Sequence, residues 1–279
     1  MPRLKLFENG SPFKNMESPS ASIRSSALTS AGLVRPANED AVSVVVPERQ
    51  DLLFTRGVLA VVADGMGGVG GGSQASGTAV DTITRYYVES SGRPSRVLQG
   101  ALLAANKTIF KLSKQNPTLA GMGTTCVALV LMPDQAWAAW VGDSRLYLIR
   151  SGQIFQLTED HSWVSNLVRE GILTGEQAAC HEHRHVLTKA LGTKPEVEVS
   201  FWEQPMSVRA GDRFLLCSDG LHDLLTENEL LQGASAFSVE EATDALIQMA
   251  HDRGGYDNVS SVVLEVSPGP QPTEGTSKP

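Results

Sequence analysis

Short apolar runs rich in β-branched residues recur along the chain between clusters of turn residues. Runs of this length and composition are typical of strands rather than helices. Three consecutive runs in the middle of the chain are separated by only a few turn residues, so no helix fits between them and they predict an antiparallel meander. The predicted strands are 41–46, 58–63, 125–132, 136–141, 146–150, 197–202, 213–218 and 259–266.

Helices are predicted by two kinds of signal. Apolar residues at three- and four-residue steps mark 73–89 and 95–113. Antiparallel strands with helix pairs inserted as blocks predict a layered fold of the α+β class. The second signal is the capping box, which occurs at Thr174 with Gln177, Thr226 with Glu229, and Ser238 with Glu241.

Length and composition indicate one globular domain. The chain has 279 residues, 41% hydrophobic and 19% charged, without a repeat or a long linker. Residues 1–24 lack any helical or strand period, and residues 268–279 contain almost no apolar side chain. Both ends are therefore predicted to be flexible tails around a domain spanning 25–267.

Net charge and cysteine use exclude several classes of partner. With 23 basic and 31 acidic residues the formal charge is −8, which disfavours nucleic acid and acidic membrane surfaces. No apolar run approaches the roughly 18 residues of a membrane-spanning helix. Cys126 and Cys217 lie in predicted strands, as buried thiols do in a reducing compartment, so a cytoplasmic protein is expected.

Asp64 ends the apolar run 58–63 and is followed by eight residues of which six are glycine. Because backbone without side chains allows a ligand to approach closely, this loop is a candidate site. It also contains the spacing Gly65-x-Gly67-x-x-Gly70 of a dinucleotide-binding loop. That interpretation is disfavoured, because it requires a second parallel strand soon afterwards and the following segment is helical in pattern.

Further acidic residues lie beside other predicted strands, at Asp40, Asp143, Asp219 and Asp257. A single Asp-Gly pair is usually only a turn. Several carboxylates brought together repel one another unless a cation lies among them. Oxygen ligands without cysteine or histidine suit hard divalent ions such as Mg²⁺ or Mn²⁺.

Six short motifs occur in order: Arg35-x-x-Asn-Glu-Asp40, Asp64-Gly-Met-Gly-Gly68, Gly121-Met-Gly-Thr-Thr125, Gly142-Asp-Ser-Arg145, Ser218-Asp-Gly220 and Gly255-x-Asp-Asn258. Together they resemble the metal-dependent protein phosphatase family (PPM, type 2C), in particular its bacterial serine/threonine branch. The resemblance spans about residues 25–267. It implies an α-β-β-α sandwich, with two central antiparallel sheets flanked by helix pairs and a two-metal site at one edge of the sheets.

The resemblance also implies the metal ligands. Asp64 would bridge two Mn²⁺ or Mg²⁺ ions, and the Gly65 carbonyl oxygen would complete the coordination of the second ion. Asp219 and Asp257 would hold the first. The two metal ions would activate a bridging hydroxide that attacks phosphorus directly, so no covalent phosphoenzyme would form.

Other residues would act around these ions. Arg35 would bind the phosphate through its planar guanidinium. The alternative is that Arg35 is a solvent-exposed arginine without a role in the site. Glu39 and Asp40 would orient waters on the metals, and Asn258 would lie behind the ligands.

A third, weaker metal site is also implied. Asp143 would join Asp219 there, as in bacterial members. The alternative is that Asp143 is a turn residue that bonds Arg145.

The stretch 158–191 resembles the mobile flap that bacterial members place beside the active site. Its residues His161, Arg184 and His185 would contact the substrate or anchor the flap. The cluster from Cys180 to His185 also contains side chains that suit zinc. The favoured alternative for that cluster is a polar loop after a helix end.

Two positions depart from the family pattern, because Met66 and Val69 stand where relatives have a histidine near the phosphate. An alkoxide leaving group needs a proton, commonly from a general acid. The hypothesis is that this proton comes from a metal-bound water or from a histidine of the flap.

The function predicted in this way is hydrolysis of phosphoserine and phosphothreonine in proteins by a cytoplasmic monomer that opposes a serine/threonine kinase. Neither nucleic acid nor a membrane is expected as a partner. Two alternatives stay open. One is a phosphoprotein-binding scaffold of the same fold with weak or no turnover, and the other is a phosphatase for a small phosphorylated metabolite.

Overall fold

The computed structural model describes residues 22–68, 70–236 and 238–267, and it consists of two antiparallel sheets with helices on their outer faces. The strands are β1 (Ser22–Ser30), β2 (Asp40–Val45), β3 (Val58–Met66), β4 (Gly123–Thr124), β5 (Cys126–Leu131), β6 (Gln135–Val141), β7 (Arg145–Arg150), β8 (Gln153–Gln156), β9 (Ser200–Phe201), β10 (Met206–Ser207), β11 (Arg213–Cys217) and β12 (Val259–Ser267). The helices are α1 (Gln50–Thr55), α2 (Gly71–Glu89), α3 (Pro94–Gln115), α4 (Trp163–Arg169), α5 (Gly175–Ala179), α6 (Asp219–His222), α7 (Glu227–Ala234) and α8 (Val239–Asp252), with a 3₁₀ turn at Pro117–Leu119.

The two sheets share one plan, in which neighbouring strands run antiparallel. One sheet has the strand order β1-β12-β11-β7-β8. The other has the order β10-β6-β5-β3-β2, with β4 paired to β3 and β9 paired to β6. The meander predicted from the middle of the chain is confirmed for β5 and β6, which pair with each other, whereas β7 joins the opposite sheet.

Three hydrophobic layers hold the molecule together. Residues such as Leu129 and Phe214 fill the space between the two sheets. Ile83 of α2 and Leu98 of α3 pack on the outer face of the seven-stranded sheet. Leu246 of α8 belongs to the layer on the outer face of the five-stranded sheet. This arrangement is the α-β-β-α sandwich that the sequence resemblance implies.

The continuous apolar run of β3 follows from its central position. Its side chains alternate between two layers, because Leu59 and Val61 face the helices while Val58 and Ala60 face the other sheet. A strand buried on both faces has no polar side to present, so it shows no alternation in sequence. This layering places the end of β3, and with it Asp64, at an edge between both sheets.

Some elements differ from those predicted. Strand β1 begins at Ser22 and pairs with β12 along its whole length, so residues 22–24 belong to a sheet rather than to the predicted tail. The remaining predicted tail residues, 1–21 and 268–279, lie outside the described residues. The predicted strand 197–202 is reduced to β9, because only Ser200–Phe201 pairs with β6.

The predicted capping boxes are all present. Each opens a helix, at α5, α7 and α8, with the hydroxyl residue and its partner three positions later facing each other. Among the residues described, none of the helices combines the length and the hydrophobicity that a membrane span requires.

Candidate functional site

Acidic residues from both sheets meet at one edge of the sandwich. Asp40 begins β2 and lies directly opposite Asp64 near the end of β3. Asp219 follows β11, and Asp257 precedes β12, the neighbour of β11 in the other sheet. Asp143 follows β6 at the turn that crosses from one sheet to the other. The structure therefore brings together carboxylates that are far apart in sequence, and these five aspartates are called the acidic cluster below.

The backbone at Asp64 is fixed by two threonines at the start of the neighbouring strand. The Asp64 amide donates to Thr125 Oγ1 at 3.0 Å, and Thr124 Oγ1 donates to the Asp64 carbonyl oxygen at 2.8 Å. Burial raises the pKa of the Asp64 carboxyl well above its usual range, and the Asp219 carboxylate raises it further. Both effects disfavour the ionised form of Asp64 unless a cation lies beside it.

Asp40 is a buried carboxylate with an incomplete set of donors. Its Oδ2 accepts hydrogen bonds from Ser218 Oγ at 2.8 Å and from Ser260 Oγ at 2.7 Å. Its Oδ1 is buried, and none of the described residues donates a hydrogen bond to it. Burial raises the pKa of Asp40 to about 7, although both hydroxyls act in the opposite direction. An anionic oxygen left unsatisfied in this way fits a site where a cation or its water supplies the missing contact.

Arg35 is the cation that faces this cluster from the loop before β2. Its guanidinium donates to Asp257 Oδ2 at 2.6 Å, and its side chain is 53% exposed. The hydrogen bond and charge of Asp257 raise the pKa of Arg35, with smaller contributions from Asp219 and Asp64. Arg35 is therefore positioned at the mouth of the cluster, where its free donors reach solvent.

Asn258 holds the loop that carries Arg35 and Glu39. Its Nδ2 donates to the carbonyl oxygens of Ala31 and Ala37, at 3.1 and 2.9 Å, and its Oδ1 accepts from the Glu39 amide at 2.8 Å. This one buried side chain therefore bonds the loop at three points along its length. Asn258 therefore supports the site from behind, as the sequence resemblance implies.

The glycines after Asp64 bring the first turn of α2 against the strand end. A Cβ on Gly65 would lie 2.1 Å from the Gly72 carbonyl oxygen, and a Cβ on Gly72 would lie 2.7 Å from the Glu39 carboxylate and from the Gly65 oxygen. Only glycine fits at both positions. Helix α2 leads into α3 rather than into a second parallel strand, which agrees with rejecting a dinucleotide-binding loop. Val69 lies outside the described residues.

Asp143 is buried, and its environment is acidic on one side and basic on the other. Burial and Asp219 raise its pKa to about 7, while His222 opposes that rise. The His222 ring donates from Nε2 to the Asp143 carbonyl oxygen at 3.1 Å. Arg145, the alternative partner for Asp143, is instead paired with Asp160 at 2.6 Å.

His161 lies near the start of the flap, and both of its ring nitrogens are hydrogen-bonded within the fold. The ring is buried, its Nδ1 accepts from the Gly142 amide at 3.1 Å, and its Nε2 pairs with Ser200 Oγ at 2.9 Å. Burial lowers the pKa of His161 to about 4, which favours the neutral ring that this pairing requires. His161 therefore anchors the start of the flap to the turn that carries Asp143.

Arg184 and His185 lie at the edge of the acidic cluster. Arg184 Nε is 3.9 Å from Asp223 Oδ2, and His185 Nδ1 is 3.4 Å from Asp223 Oδ2 and 3.9 Å from Asp219 Oδ2. Of the three flap residues named from the sequence, the structure thus brings these two to the site.

The zinc alternative for the cluster from Cys180 to His185 finds little support in the geometry. The rings of His181 and His183 stand edge-on to Trp163, with centroids 5.3 and 5.7 Å away. Cys180 is exposed, and in the described part of the chain these residues do not form a compact set of ligands.

The spread of the carboxylates bears on how many ions the site would hold. Among the described residues, the ligand atoms of His185, Asp219 and Asp223 all lie within 4.8 Å of one another. Asp64, Asp219 and Asp257 do not form such a compact group in that part of the chain. Carboxylate oxygens lie about 2.0–2.1 Å from Mg²⁺, so two ligand atoms of one such ion are at most about 4.2 Å apart, and the wider set would need more than one ion.

Several residues that shape the site carry little signal in the sequence. The hydroxyls of Ser218 and Ser260 both reach Asp40, and Ser260 lies among the buried residues of β12. A buried serine in such a strand is the signal that could have drawn attention to it. His222 and Asp223 lie two and three residues after the Ser218-Asp219-Gly220 motif, but nothing in their spacing indicates that they face Asp143 and the flap.

Comparison with known proteins adds three findings. A family model described as Protein phosphatase 2C matches residues 36–259. The serine/threonine protein phosphatase PstP of Mycobacterium tuberculosis is 36% identical over 245 residues, which cover 88% of this chain and 45% of that protein. The serine/threonine phosphatase stp of Listeria monocytogenes is 36% identical over 243 residues, covering 85% of this chain and 93% of that protein.

The fold has a solved counterpart of similar extent. The crystal structure of the catalytic domain of PstP in complex with two manganese ions superimposes with a TM-score of 0.76 at 35% identity, covering 88% of this chain and 99% of that domain. This chain spans about half the length of the curated mycobacterial relative.

Proposed function

This chain belongs to the protein phosphatase 2C family, and on that premise we propose that it hydrolyses phosphoserine and phosphothreonine in proteins with the help of divalent cations. The observation that carries the proposal is the meeting of carboxylates from both sheets, with one buried oxygen of Asp40 left without a partner. Relatives named as serine/threonine phosphatases support the substrate class.

The donor set fits Mn²⁺ or Mg²⁺. Asp64, Asp219 and Asp257 supply carboxylates, and the Gly65 carbonyl lies at the same strand end. Oxygen ligands of this kind suit hard divalent ions, and a crystal structure of a relative in complex with two manganese ions supports the assignment. Two such ions, when bound, supply a water activated at neutral pH and neutralise charge on a phosphate. Asp143 with Asp219 would hold a third, weaker ion.

The protein's own residues would orient the phosphate. Arg35 stands at the exposed edge of the cluster, and its contact with Asp257 leaves other guanidinium donors for phosphate oxygens. Glu39 is held by Asn258 through its amide, and Asp40 is held by two hydroxyls, so both carboxylates are positioned to accept hydrogen bonds from waters.

The flap would complete the substrate site. Arg184 and His185 face Asp223 and Asp219, so they would contact the substrate from above the carboxylates. His161 would act as the anchor that fixes the start of the flap rather than as a substrate contact.

Manganese-dependent hydrolysis of a phosphothreonine peptide tests the proposal. We expect activity that a chelator abolishes, and a loss of about 100-fold or more in kcat for Asp64→Asn and Asp219→Asn, because each removes a metal ligand. Asp81→Asn, an exposed acid on α2, is the matched control and should retain full activity. Activity that survives both the chelator and the two ligand substitutions would overturn the mechanism.

The same assay separates the alternatives left open by the sequence. A scaffold would bind phosphopeptide without turnover, and a metabolite phosphatase would prefer small phosphate esters to peptides. The wider proposal is a cytoplasmic monomer that reverses the action of a serine/threonine kinase. The free thiols of Cys126 and Cys217, both buried, support a reducing compartment. Phosphoproteomics of a strain lacking the gene would identify the substrates.

A further inference from the structure

A surface groove of about 770 Å³ runs along the second half of α3. One wall is the outward face of α3, and the other is the segment 195–197, which follows the flap. The groove shares no residue with the acidic cluster. Its volume falls in the range of about 300–1,000 Å³ that is typical of binding sites.

The floor and walls of the groove are apolar. Leu103 is 42% exposed although it lies in a helix that packs on the core. Phe110 is half-buried on the same face of α3, and Pro195 and Val197 line the opposite wall. A partner side chain placed between Phe110 and Val197 would remove apolar surface from water, which is favourable.

The rim of the groove is basic. Lys107, Lys111 and Lys114 follow one another at four- and three-residue steps, so they lie on one face of α3. Helix α3 contains no acidic residue, and among the described residues none of these lysines has a carboxylate within ion-pair distance. Lys114 Nζ lies 5.1 Å from the centre of the Phe110 ring. Glu196 is the acidic residue that lines the groove, so the local charge is positive on a chain with a net charge of −8.

We propose that this groove docks an acidic segment of the phosphoprotein substrate, with an apolar side chain of that segment inserted between the walls. The lysines of the rim favour a negatively charged segment, and the apolar floor favours the apolar side chain that this segment inserts. The proposal deepens the proposed function and rests on it, because it assigns the docked segment to the substrate.

The position of the groove relative to the flap favours a substrate as the occupant. Asn106 Nδ2 donates to the carbonyl oxygens of Lys194 and Pro195, both at 3.2 Å, and Asn106 Oδ1 accepts from the Gly192 amide at 2.7 Å. The groove wall is therefore fixed to the end of the flap through one side chain.

The path of the chain after α3 leads back to the acidic cluster. The chain passes through the 3₁₀ turn into β4, which pairs with β3 at Gly65 and Met66. The C-terminal end of α3 thus lies at the same end of the molecule as Asp64. A segment docked in the groove would lie beside the base of the flap, on the side from which a phosphorylated residue could reach the site.

Binding of synthetic peptides tests the groove without any turnover. The probe is a short fluorescein-labelled peptide of Glu and Asp with one Leu and one Phe, which carries no phosphate. One control peptide replaces the acids by Lys, and another replaces Leu and Phe by Ala. We expect fluorescence anisotropy to show that the protein binds the acidic apolar peptide at least about tenfold more tightly than either control, and that added salt weakens this binding.

Charge reversal of the rim tests the location. Lys107→Glu with Lys111→Glu should weaken binding of the acidic apolar peptide by about tenfold or more. Arg85→Glu with Arg93→Glu makes the same change in net charge at exposed positions outside the groove, and it should leave binding unchanged. Thermal unfolding of both double variants shows that each remains folded.

Turnover of phosphothreonine peptides with and without the acidic apolar tail tests the assignment to substrate. We expect the groove variant to raise KM for the tailed peptide, with kcat unchanged and with p-nitrophenyl phosphate hydrolysed as by the wild type. Equal binding of the three peptides, no effect of the lysine substitutions, or an unchanged KM for the tailed peptide would each overturn the proposal. A protein that binds the peptide but hydrolyses no phosphopeptide would instead contradict the proposed function.

Discussion

At the scale of single residues, Asp40 has an unusual balance of contacts, with two hydroxyl donors on one oxygen and none on the other. Asp40→Asn would remove a charge whose burial raises the pKa of this carboxyl to about 7. We expect the metal-free variant to unfold at the same temperature as the wild type or higher, while its affinity for Mn²⁺ falls by about 10–100-fold.

Thermal unfolding with and without Mn²⁺ measures both effects on Asp40→Asn. Asp134→Asn, in the turn between β5 and β6, provides the control and should change neither value. A clear loss of stability without metal would contradict the idea that Asp40 is held against its electrostatic preference.

Asn258 supports the site through three hydrogen bonds to the loop before β2. Asn258→Asp would turn a buried donor that serves two carbonyl groups into an acceptor, so we expect the free energy of unfolding to fall by about 2–4 kcal/mol. Denaturant unfolding measures the change. Asn228→Asp, at an exposed position of α7, should cost less than about 0.5 kcal/mol. Equal effects of the two substitutions would show that the loop does not depend on Asn258.

Much of the candidate site could be predicted from short motifs, and part of it could not. Arg35, Asp64, Asp219 and Asp257 lie in motifs whose order and residue types are distinctive, and the structure gathers them at one edge. The contact between the Ser260 hydroxyl and Asp40 cannot be predicted from the sequence, because it depends on how the two sheets are aligned. The partners of His161 could not be predicted for a similar reason, since they come from two separate parts of the chain.

At the scale of elements, the sequence pattern predicts most strands and the two long helices. β3 is recognisable because both of its faces are apolar. β1 is not predicted because five of its nine residues are serine or threonine, and as the outermost strand of its sheet it has no fully buried residue. The segment 197–202 has the composition of a strand, yet only two of its residues find a partner strand.

The anchoring of the flap through His161 predicts a dependence of stability on pH. Burial lowers the pKa of His161 to about 4, below about 6.5 in the unfolded chain. Between these values the unfolded chain binds a proton that the fold does not. This contribution to stability is therefore complete above pH about 6.5 and is lost as the pH falls through 4.

Comparing His161→Gln with the wild type isolates this contribution. We expect the wild type to lose about 2 kcal/mol more than the variant between pH 7 and pH 4, as measured by denaturant unfolding. His183→Gln replaces an exposed histidine of the same flap and should leave the pH profile of the wild type intact. Parallel profiles for all three proteins would exclude His161 as the source.

At the scale of the whole molecule, the carboxylate cluster makes the metal-free protein sensitive to pH in the opposite direction. Burial raises the pKa of Asp40 and of Asp143 to about 7, and raises that of Asp64 well above its usual range. The unfolded value is about 3.9. The fold therefore binds more protons than the unfolded chain between pH about 4 and 7, and the resulting stability is lost as the pH rises through 7.

Unfolding of chelator-treated protein at pH 6 and pH 8 measures this effect. We expect the free energy of unfolding to fall by about 2–3 kcal/mol from pH 6 to pH 8 without metal, and saturating Mn²⁺ to cancel most of the difference. The unfolded-state pKa of His161, about 6.5, lies within this range, so His161 opposes the change by less than about 1 kcal/mol, and repeating the comparison with His161→Gln removes that contribution. A metal-free protein equally stable at both pH values would show that the acids do not meet as described.

Asp40, at the start of β2 in one sheet, accepts hydrogen bonds from Ser218, which follows β11, and from Ser260 in β12 of the other sheet. The affinity of the proposed site for manganese should consequently depend on how well the two sheets pack against each other. A distant substitution such as Leu129→Ala, in the layer between the sheets, should lower phosphatase activity at low Mn²⁺ concentration, as loss of a metal ligand would. Saturating Mn²⁺ should restore that activity. Genetic screens for loss of activity at limiting manganese would then also find substitutions in the hydrophobic core, far from the acidic residues.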